Sequence, residues 1–366
     1  MSDKRLNGLD HLRALAIILV FLFHYGRLFP SPQWVTAIGA FGWTGVDLFF
    51  VLSGYLIASQ LFSDLQTEDG ISFKDFFLKR FFRIVPAYLF TVAVYFLLPS
   101  FREREAPAPL WKYLTFTQNL GLDLRYQGTF SHAWSLCIEE QFYLLLPLVL
   151  ILLSYFRLIK RGWILLLILF LGGFFIRAYN WHYQVSPFIA DGEAWINWYK
   201  WIYYPTFTRL DGLLTGIFIA GVFQFRPALK ERISRYGNGY LLLSIFILAA
   251  AWFVCTDTES FHASVYGFTL TDLGYGVMVL GAVSNTSILY KFRLPAASRL
   301  AILSYAIYLL HKITIHLTQL SLSKLHIEKD SNLMFVLCII TSVLAGLILN
   351  LFIEKPFLRL RNKLFL

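Results

Sequence analysis

The sequence has little charge and few cysteines for a chain of its length. Of its 366 residues, only 15% are charged and 57% are hydrophobic. Soluble domains carry about 25% charged residues, so an ordinary soluble protein is excluded and an integral membrane protein is predicted. The three cysteines (Cys137, Cys255 and Cys338) are scattered, which excludes a disulfide framework and a cysteine-based metal cluster.

Several catalytic signatures are also missing. The sequence contains no glycine-rich P-loop, no H-E-x-x-H and no G-x-S-x-G. A nucleoside triphosphatase, a zinc peptidase and a serine hydrolase with a nucleophile elbow are therefore not expected, and we expect no metal. The net charge of +10 fits basic cytoplasmic loops better than a nucleic-acid partner.

The apolar runs predict an all-α, polytopic helix bundle, because about 20 apolar residues span a bilayer. The first run lacks a small-residue cleavage site and is interpreted as a retained helix. Ten helices are predicted, near residues 10–27, 43–60, 84–100, 139–156, 163–178, 207–224, 239–255, 264–287, 299–318 and 333–353.

Basic residues are concentrated in every second loop, as the positive-inside rule requires. Alternate segments hold 21 of the 32 basic residues: 1–13, 71–85, 156–162, 225–236, 288–299 and 354–366. These segments are predicted to be cytoplasmic, as are both termini. We expect residues 1–366 to form one multi-pass membrane domain with no appended soluble domain.

Arg13 and His24 lie eleven residues apart in the first apolar segment. At about 100° per residue both side chains fall on one helical face, roughly 16 Å apart along the axis. Ionisable residues inside a membrane helix are costly and usually line a cavity or pathway. Alternatively, Arg13 snorkels to the headgroups and His24 is interfacial.

Other polar residues are predicted at a similar depth toward the outer side. Asp47, Glu139, Arg209, Asp211 and His311 lie in or beside the outer halves of predicted helices, and Trp134-Ser135 leads into the fourth. Ser135 is a plausible N-cap. The group indicates an outward-facing polar site, with helix caps and isolated salt bridges as the alternative.

Arg80 and Arg83 are spaced i, i+3 just below the third predicted helix, so they share a face. Forked guanidinium groups suit phosphate oxygens, although the spacing alone favours a basic loop that only sets topology. The two long outer loops, near 101–138 and 179–206, are rich in aromatic residues. Aromatic residues are common at membrane interfaces. Alternatively, they form apolar surfaces on which sugar rings can bind.

In this order, these residues resemble the acyltransferase-3 family of integral membrane acyltransferases, over about residues 9–357. The shared motifs are Arg13-x10-His24, residues 45–57 around Asp47, Arg80-x-x-Arg83 before Pro86, Trp134-Ser135-Leu136 with Glu139, Arg209-Leu210-Asp211, residues 303–311 ending in His311, and Glu354-Lys355-Pro356-Phe357. The resemblance implies ten helices and O-acetylation of a surface polysaccharide, such as lipopolysaccharide O-antigen, at the bacterial inner membrane.

The resemblance also implies roles for individual residues. Acetyl-CoA would be the acyl donor and co-substrate, with its phosphates held by Arg80, Arg83 and Arg13. His24 would take the proton of an attacking sugar hydroxyl, and Glu139 or Asp47 would orient its imidazole. The acceptor would be a glycan or lipid-linked saccharide, and its site would be formed by Trp134, Ser135, Arg209, Asp211 and His311. A covalent route through Ser135 stays open.

Some members of the family carry a C-terminal extracytoplasmic domain. Without it, the membrane domain would complete the transfer itself or hand the acyl group to a separate partner.

Two other classes remain as alternatives: a secondary transporter or flippase, and a sensory or scaffolding membrane protein. Transporters often show inverted repeats and interrupted helices, and neither is evident in the sequence.

Overall fold

The computed structural model describes residues 7–68 and 70–365, and this part of the chain contains helices and no strand. Ten long helices correspond one to one with the predicted ones. They are α1 (Asn7–Leu28), α2 (Gly45–Asp64), α3 (Phe73–Leu97), α4 (Trp134–Tyr155), α5 (Gly162–Asn180), α6 (Asp211–Phe225), α7 (Gly237–Val254), α8 (Phe268–Val283), α9 (Pro295–Leu322) and α10 (Asn332–Leu349). The all-α prediction is confirmed.

Eight helical segments in the described part are long and apolar enough to cross a membrane. A ninth span results if α6 is joined to the helix Pro227–Ser234, which is bent from it by 110°. α8 is only 16 residues long and follows a π-helical turn, Ala263–Gly267. Length and composition therefore support eight or nine of the ten predicted spans.

Two helix starts lie five or more residues before the predicted position, and both differences move polar residues. α3 begins at Phe73, because Ser72 caps it by accepting a hydrogen bond from the Asp75 amide. Arg80 and Arg83 consequently lie inside a helix, not below one. α4 begins at Trp134, so Ser135 is in its first turn and the prediction of an N-cap at Ser135 is wrong.

The helices pack around α1, which contacts α2, α8 and α9. α2 packs most extensively against α6, and two glycines make this crossing possible. A Cβ on Gly54 would lie 2.2 Å from the Leu213 carbonyl oxygen, and one on Gly216 would lie 2.3 Å from that of Val51. Small residues at a crossing allow backbones to touch, which is how membrane helices gain packing energy without a hydrophobic effect between them.

The connections separate into two faces. The face that we call the long-loop face carries residues 98–133 and 181–210, joined by the hydrogen bond from the Asn119 amide to the Tyr204 carbonyl, 3.1 Å. The opposite, short-loop face carries the connections that the charge pattern predicts to be cytoplasmic. His11 bonds there to the Leu289 carbonyl, 3.2 Å, and Gln224 to Gln66, 2.8 Å.

Large apolar side chains cover the outside of the bundle. Phe175 on α5 and Phe253 on α7 are each 75% exposed. A water-soluble surface rarely carries so much contiguous apolar area, whereas a lipid-facing surface requires it. Together with the spanning helices, this identifies a multi-pass membrane protein.

Candidate active site

Three histidines from distant parts of the chain meet near the long-loop face. His24 is near the end of α1, His132 precedes α4, and His311 is in the middle of α9. The ring centroids of His24 and His132 each lie 4.9 Å from that of His311, and 5.8 Å from each other. We call these three residues the histidine cluster.

The hydrogen bonds of the cluster define which nitrogens carry protons. His311 Nδ1 is 2.8 Å from the Tyr308 carbonyl oxygen, and because a carbonyl only accepts, Nδ1 must donate. In the neutral ring His311 Nε2 is then an acceptor, so His24 Nδ1, 2.8 Å away, donates to it. His24 Nε2 is left with its lone pair. His24 is thus held as the tautomer that can accept a proton.

A buried ion pair lies against the cluster. Lys312 Nζ is 2.8 Å from Glu103 Oε1, and both side chains are 1% exposed. Glu103 comes from the loop after α3, and its Oε1 also accepts a hydrogen bond from the Phe130 amide, 3.2 Å. The Glu103 carboxylate offsets part of the cost of burying the Lys312 ammonium next to the imidazoles.

His24, His132 and Lys312 line a cavity of about 230 Å³ on the long-loop face. The rest of the wall is mainly aromatic and basic. It includes Arg27, Trp43, Arg104, Trp134, Trp195, Tyr199, Tyr203 and Tyr204. A mostly apolar cavity with a few convergent polar groups is the usual form of a small-molecule site. We call it the histidine cavity.

Ser135 lies beside the cluster with its hydroxyl proton engaged. Its Oγ is 2.6 Å from the Tyr308 hydroxyl, which is itself 2.5 Å from the His132 carbonyl oxygen. Because that carbonyl can only accept, Tyr308 donates to it, and Ser135 donates to Tyr308. A nucleophilic serine instead needs a base to accept its proton, so the contacts favour a positioning role for Ser135.

A second polar group, the arginine cluster, is on the side of the bundle nearer the short-loop face. It consists of Arg13, Arg80, Arg83 and Glu139, whose charges interact. Arg80 donates to Gln60, 3.2 Å, and lies over the Tyr143 ring. The expectation that Glu139 orients His24 is therefore not met: Glu139 accepts from Ser53, 2.7 Å, and belongs with the arginines.

The third polar group is a sealed network of ion pairs, which we call the ion-pair core. Arg209 pairs with Asp47, and Arg177 pairs with Asp211 at 2.8 Å. Asp272 lies nearby, and each of the five residues is at most 3% exposed. Arg209 is also covered by aromatic rings, with its guanidinium carbon 3.9 Å from the centroid of Phe268.

The ion-pair core changes the interpretation of three predicted site residues. Asp47 does not contact His24, and neither Arg209 nor Asp211 lines the histidine cavity. Each finds its partner within the core, where the low dielectric makes paired charges strongly dependent on one another. These residues hold α2, α5 and α6 together beside the site, and Trp134 is the one member of the predicted acceptor group that lines the cavity itself.

The two clusters that carry chemistry are joined along one face of α4. Ser135 and Glu139 are spaced i, i+4, about 6 Å apart along the axis. Ser135 bonds to Tyr308 beside the histidine cluster, and Glu139 is a member of the arginine cluster. Helices α1, α2, α4 and α9 lie along this line: α1 contacts α2 and α9, α2 contacts α4, and Tyr308 of α9 reaches Ser135.

Sequence reasoning missed His132, Lys312 and Glu103. Lys312 carried a usable signal, because a lysine inside an apolar helix is costly and marks a functional site. His132 lies only two residues before Trp134 in the chain, so proximity to a motif was its one indication. Glu103 had none, since a single acid in a mixed-charge loop is normally a surface residue. In the described residues, no group of three or more His, Cys, Asp or Glu side chains has the geometry of a metal site.

Comparison with known proteins identifies the family of the chain. The acyltransferase-3 family model, described as an acyltransferase domain, matches residues 6–351, and the chain belongs to this family. It is 30% identical over 334 residues to O-acetyltransferase OatA of Staphylococcus aureus (strain NCTC 8325 / PS 47), covering 85% of this chain and 50% of that protein.

A putative O-acetyltransferase of Staphylococcus aureus strain COL is 28% identical over 324 residues, covering 83% of this chain and 50% of the relative. The chain thus spans about half the length of the curated relatives that it matches. No solved structure matches the chain.

Proposed function

We propose that this chain is a membrane O-acyltransferase that moves an acetyl group from cytosolic acetyl-CoA to a hydroxyl of a surface or lipid-linked glycan at the outer face. The observation that carries the proposal is the fixed tautomer of His24. Its unprotonated Nε2 belongs to a residue that lines a cavity, and a chain of two hydrogen bonds, ending at the Tyr308 carbonyl, holds the ring in that state.

The chemistry follows from that tautomer. The acceptor hydroxyl attacks the thioester carbonyl while His24 Nε2 takes its proton. The carbonyl oxygen becomes an oxyanion, and the ammonium of Lys312 lies on the same cavity wall to stabilise it. The carbon–sulfur bond then breaks, the imidazolium returns its proton to the departing CoA thiolate, and the ester remains on the glycan.

The donor has a separate entrance. CoA is a polyanion, and Arg13, Arg80 and Arg83 lie on the side of the bundle predicted to be cytoplasmic. Planar guanidinium groups bind phosphate oxygens bidentately. The acyl arm would then follow α4 past Glu139 and Ser135 to the histidine cluster. The relatives are named as O-acetyltransferases, which supports an acetyl group as the cargo.

The proposed reaction also implies a location. The basic short-loop face supports a cytosolic donor, so we propose that the enzyme is in a cell membrane, and in the inner one where an organism has two. An extracytoplasmic component that completes delivery to the glycan is also part of the proposal.

A direct assay tests this function. The purified protein in lipid nanodiscs is given radiolabelled acetyl-CoA and an oligosaccharide mixture released from the envelope of the expressing cells. The proposal predicts CoA release coupled to label in the glycan fraction, and loss of both in His24→Ala. His182→Ala, which removes an exposed histidine on the same face, should behave like the wild type. Flux of a solute without CoA release would instead support the transporter class.

A further inference from the structure

A second cavity, of about 280 Å³, adjoins the histidine cavity on the long-loop face. It lies between the end of α1, the segment after it, and the connection that follows α7. Outside the shared wall, its lining combines aromatic rings with hydroxyl and carboxyl groups: Phe41, Trp198, Trp252, Thr256, Thr258 and Glu259. None of these residues has a part in the chemistry described above.

The two cavities are neighbours with a common wall. Phe23, Arg27, Trp43, Tyr199 and Tyr203 line both. The first of these residues directly precedes His24 in α1, so the wall lies next to the proton-accepting imidazole. A ligand unit at His24 and one in the second cavity would therefore contact the same wall residues.

The second cavity offers an aromatic surface that the protein itself does not cover. Trp252 is 41% exposed although its ring packs against Phe41 at 5.3 Å. Trp198 differs, since it is 3% exposed and its indole N–H already donates to Ser264. Trp252 is thus the tryptophan in this wall with ring surface left for a ligand, and an aromatic ring buries much area on binding.

The polar groups of the second cavity are balanced in charge. Arg27 and Glu259 interact electrostatically without forming an ion pair in the described residues, and Glu259 is partly buried. A lipid chain there would leave both groups without partners, which is unfavourable. A phosphate would meet the repulsion of Glu259. A neutral ligand with many hydroxyls satisfies both the carboxylate and the guanidinium.

We propose that the second cavity is a subsite for a neutral sugar unit of the acceptor, adjacent to the unit that is acylated. The apolar C–H face of the sugar ring would lie on Trp252, and its hydroxyls would bond to Arg27, Glu259 and Thr258. This inference rests on the proposed function, because it assigns the acceptor of that reaction an oligosaccharide with at least two units.

The test compares an opened, a filled and an untouched cavity. Proteins are purified without sugar-based detergents, which would compete, and are assayed in nanodiscs with labelled acetyl-CoA and increasing envelope oligosaccharides, dosed as total hexose. Trp252→Ala removes the platform and Thr258→Trp fills the space. Trp111→Ala is the matched control, because Trp111 is 58% exposed on the same face and lines neither cavity.

We expect both cavity variants to raise the half-saturating glycan concentration about tenfold, which corresponds to about 1.4 kcal/mol, with a much smaller change at saturating glycan. Trp111→Ala should match the wild type. If the wild type transfers label and all variants share one half-saturation, the subsite is refuted while the proposed function stands. If the wild type labels no glycan, the proposed function fails and the subsite with it.

Discussion

The histidine cluster and the ion-pair core are both groups of buried polar residues, but they differ in what they leave unsatisfied. In the core, Arg177 and Arg209 pair with Asp211 and Asp47. Single atoms such as Asp47 Oδ2 and Arg209 Nη1 have no hydrogen-bond partner among the described residues, but no core member lines either of the two cavities. In the cluster, hydrogen bonds fix His24 but leave one ring nitrogen without a proton at a cavity wall. Buried charge in a membrane protein therefore does not identify an active site by itself. A polar group that lacks a partner and lines a cavity does.

The largest predicted effect on the transfer rate is at His24. His24→Ala should lower the rate of acetyl transfer by about 10²–10⁴-fold, the usual contribution of a general base. The free energy of unfolding should fall by no more than about 1–3 kcal/mol, the cost of leaving the buried His311 Nε2 without its donor. Transfer within a few-fold of the wild type would remove His24 from the mechanism.

The core should respond in the opposite way. Asp47→Leu leaves Arg209 buried without its carboxylate, and loss of one partner of a buried pair costs about 3–5 kcal/mol of stability. The measurement is the free energy of unfolding in mixed micelles. The double variant Asp47→Leu/Arg209→Met should recover most of that loss, since a buried pair can be replaced by apolar residues.

The rate of acetyl transfer per folded molecule gives a second test of the difference between the ion-pair core and the histidine cluster. In the double variant it should fall far less than in His24→Ala, because neither residue contacts the histidine cluster. A loss of transfer as large as that of His24→Ala, in protein that unfolds normally, would place Asp47 or Arg209 in the chemistry.

Lys312 tests whether an ion pair beside the cluster differs from one in the core. Removing a group that stabilises an oxyanion costs about 10²–10³-fold in rate. The double variant Lys312→Met/Glu103→Gln avoids an unpaired buried charge, so it should fold and still lose transfer by roughly that factor. Lys312→Arg, which keeps a cation paired with Glu103, serves as the control. A double variant that retains wild-type transfer would reduce the pair to a structural one.

Arg80 and Arg83 should affect donor binding and not the acceptor. Each alanine replacement is expected to raise the dissociation constant for CoA about tenfold, and lysine should restore only part of it because the forked geometry is lost. Isothermal titration with CoA measures this directly. Unchanged CoA affinity in both alanine variants would leave the two residues as topology charges.

Ser135 should show the smallest effect. Ser135→Ala removes one hydrogen bond to Tyr308, for which a net contribution of about 0.5–1.5 kcal/mol, or up to about tenfold in rate, is typical. Single-turnover acetyl transfer is the appropriate readout. A loss beyond about 10³-fold, with a labelled acyl-enzyme in the wild type, would restore the covalent route.

The fold was largely readable from the sequence because hydropathy and loop charge act locally along the chain. Each of the ten predicted helices has a counterpart, and their positions follow from apolar runs alone. The boundaries were less accurate where a cap decides them, as at Ser72 before α3.

The site was readable only in part, because its contacts join residues far apart in the chain. His24 and Arg13 stood out as ionisable residues in an apolar helix. The partner of His24, however, is His311, 287 residues away, and nothing local distinguishes this pairing from one with Asp47 or Glu139. Depth along a helix was predictable, whereas the direction of each side chain around the bundle axis depended on the packing of α1 against α9.

The central claim is that donor and acceptor enter from opposite faces and meet at His24. Proteoliposomes test it most directly, with labelled acetyl-CoA confined to one side and envelope oligosaccharides to the other. An impermeant thiol reagent reports the orientation, because the three native cysteines are buried while Gln33→Cys on the long-loop face and Lys230→Cys on the short-loop face occupy exposed positions. We predict label in the glycan when acetyl-CoA is at the short-loop face and glycan at the long-loop face. Transfer with both substrates supplied only at the long-loop face would contradict the account.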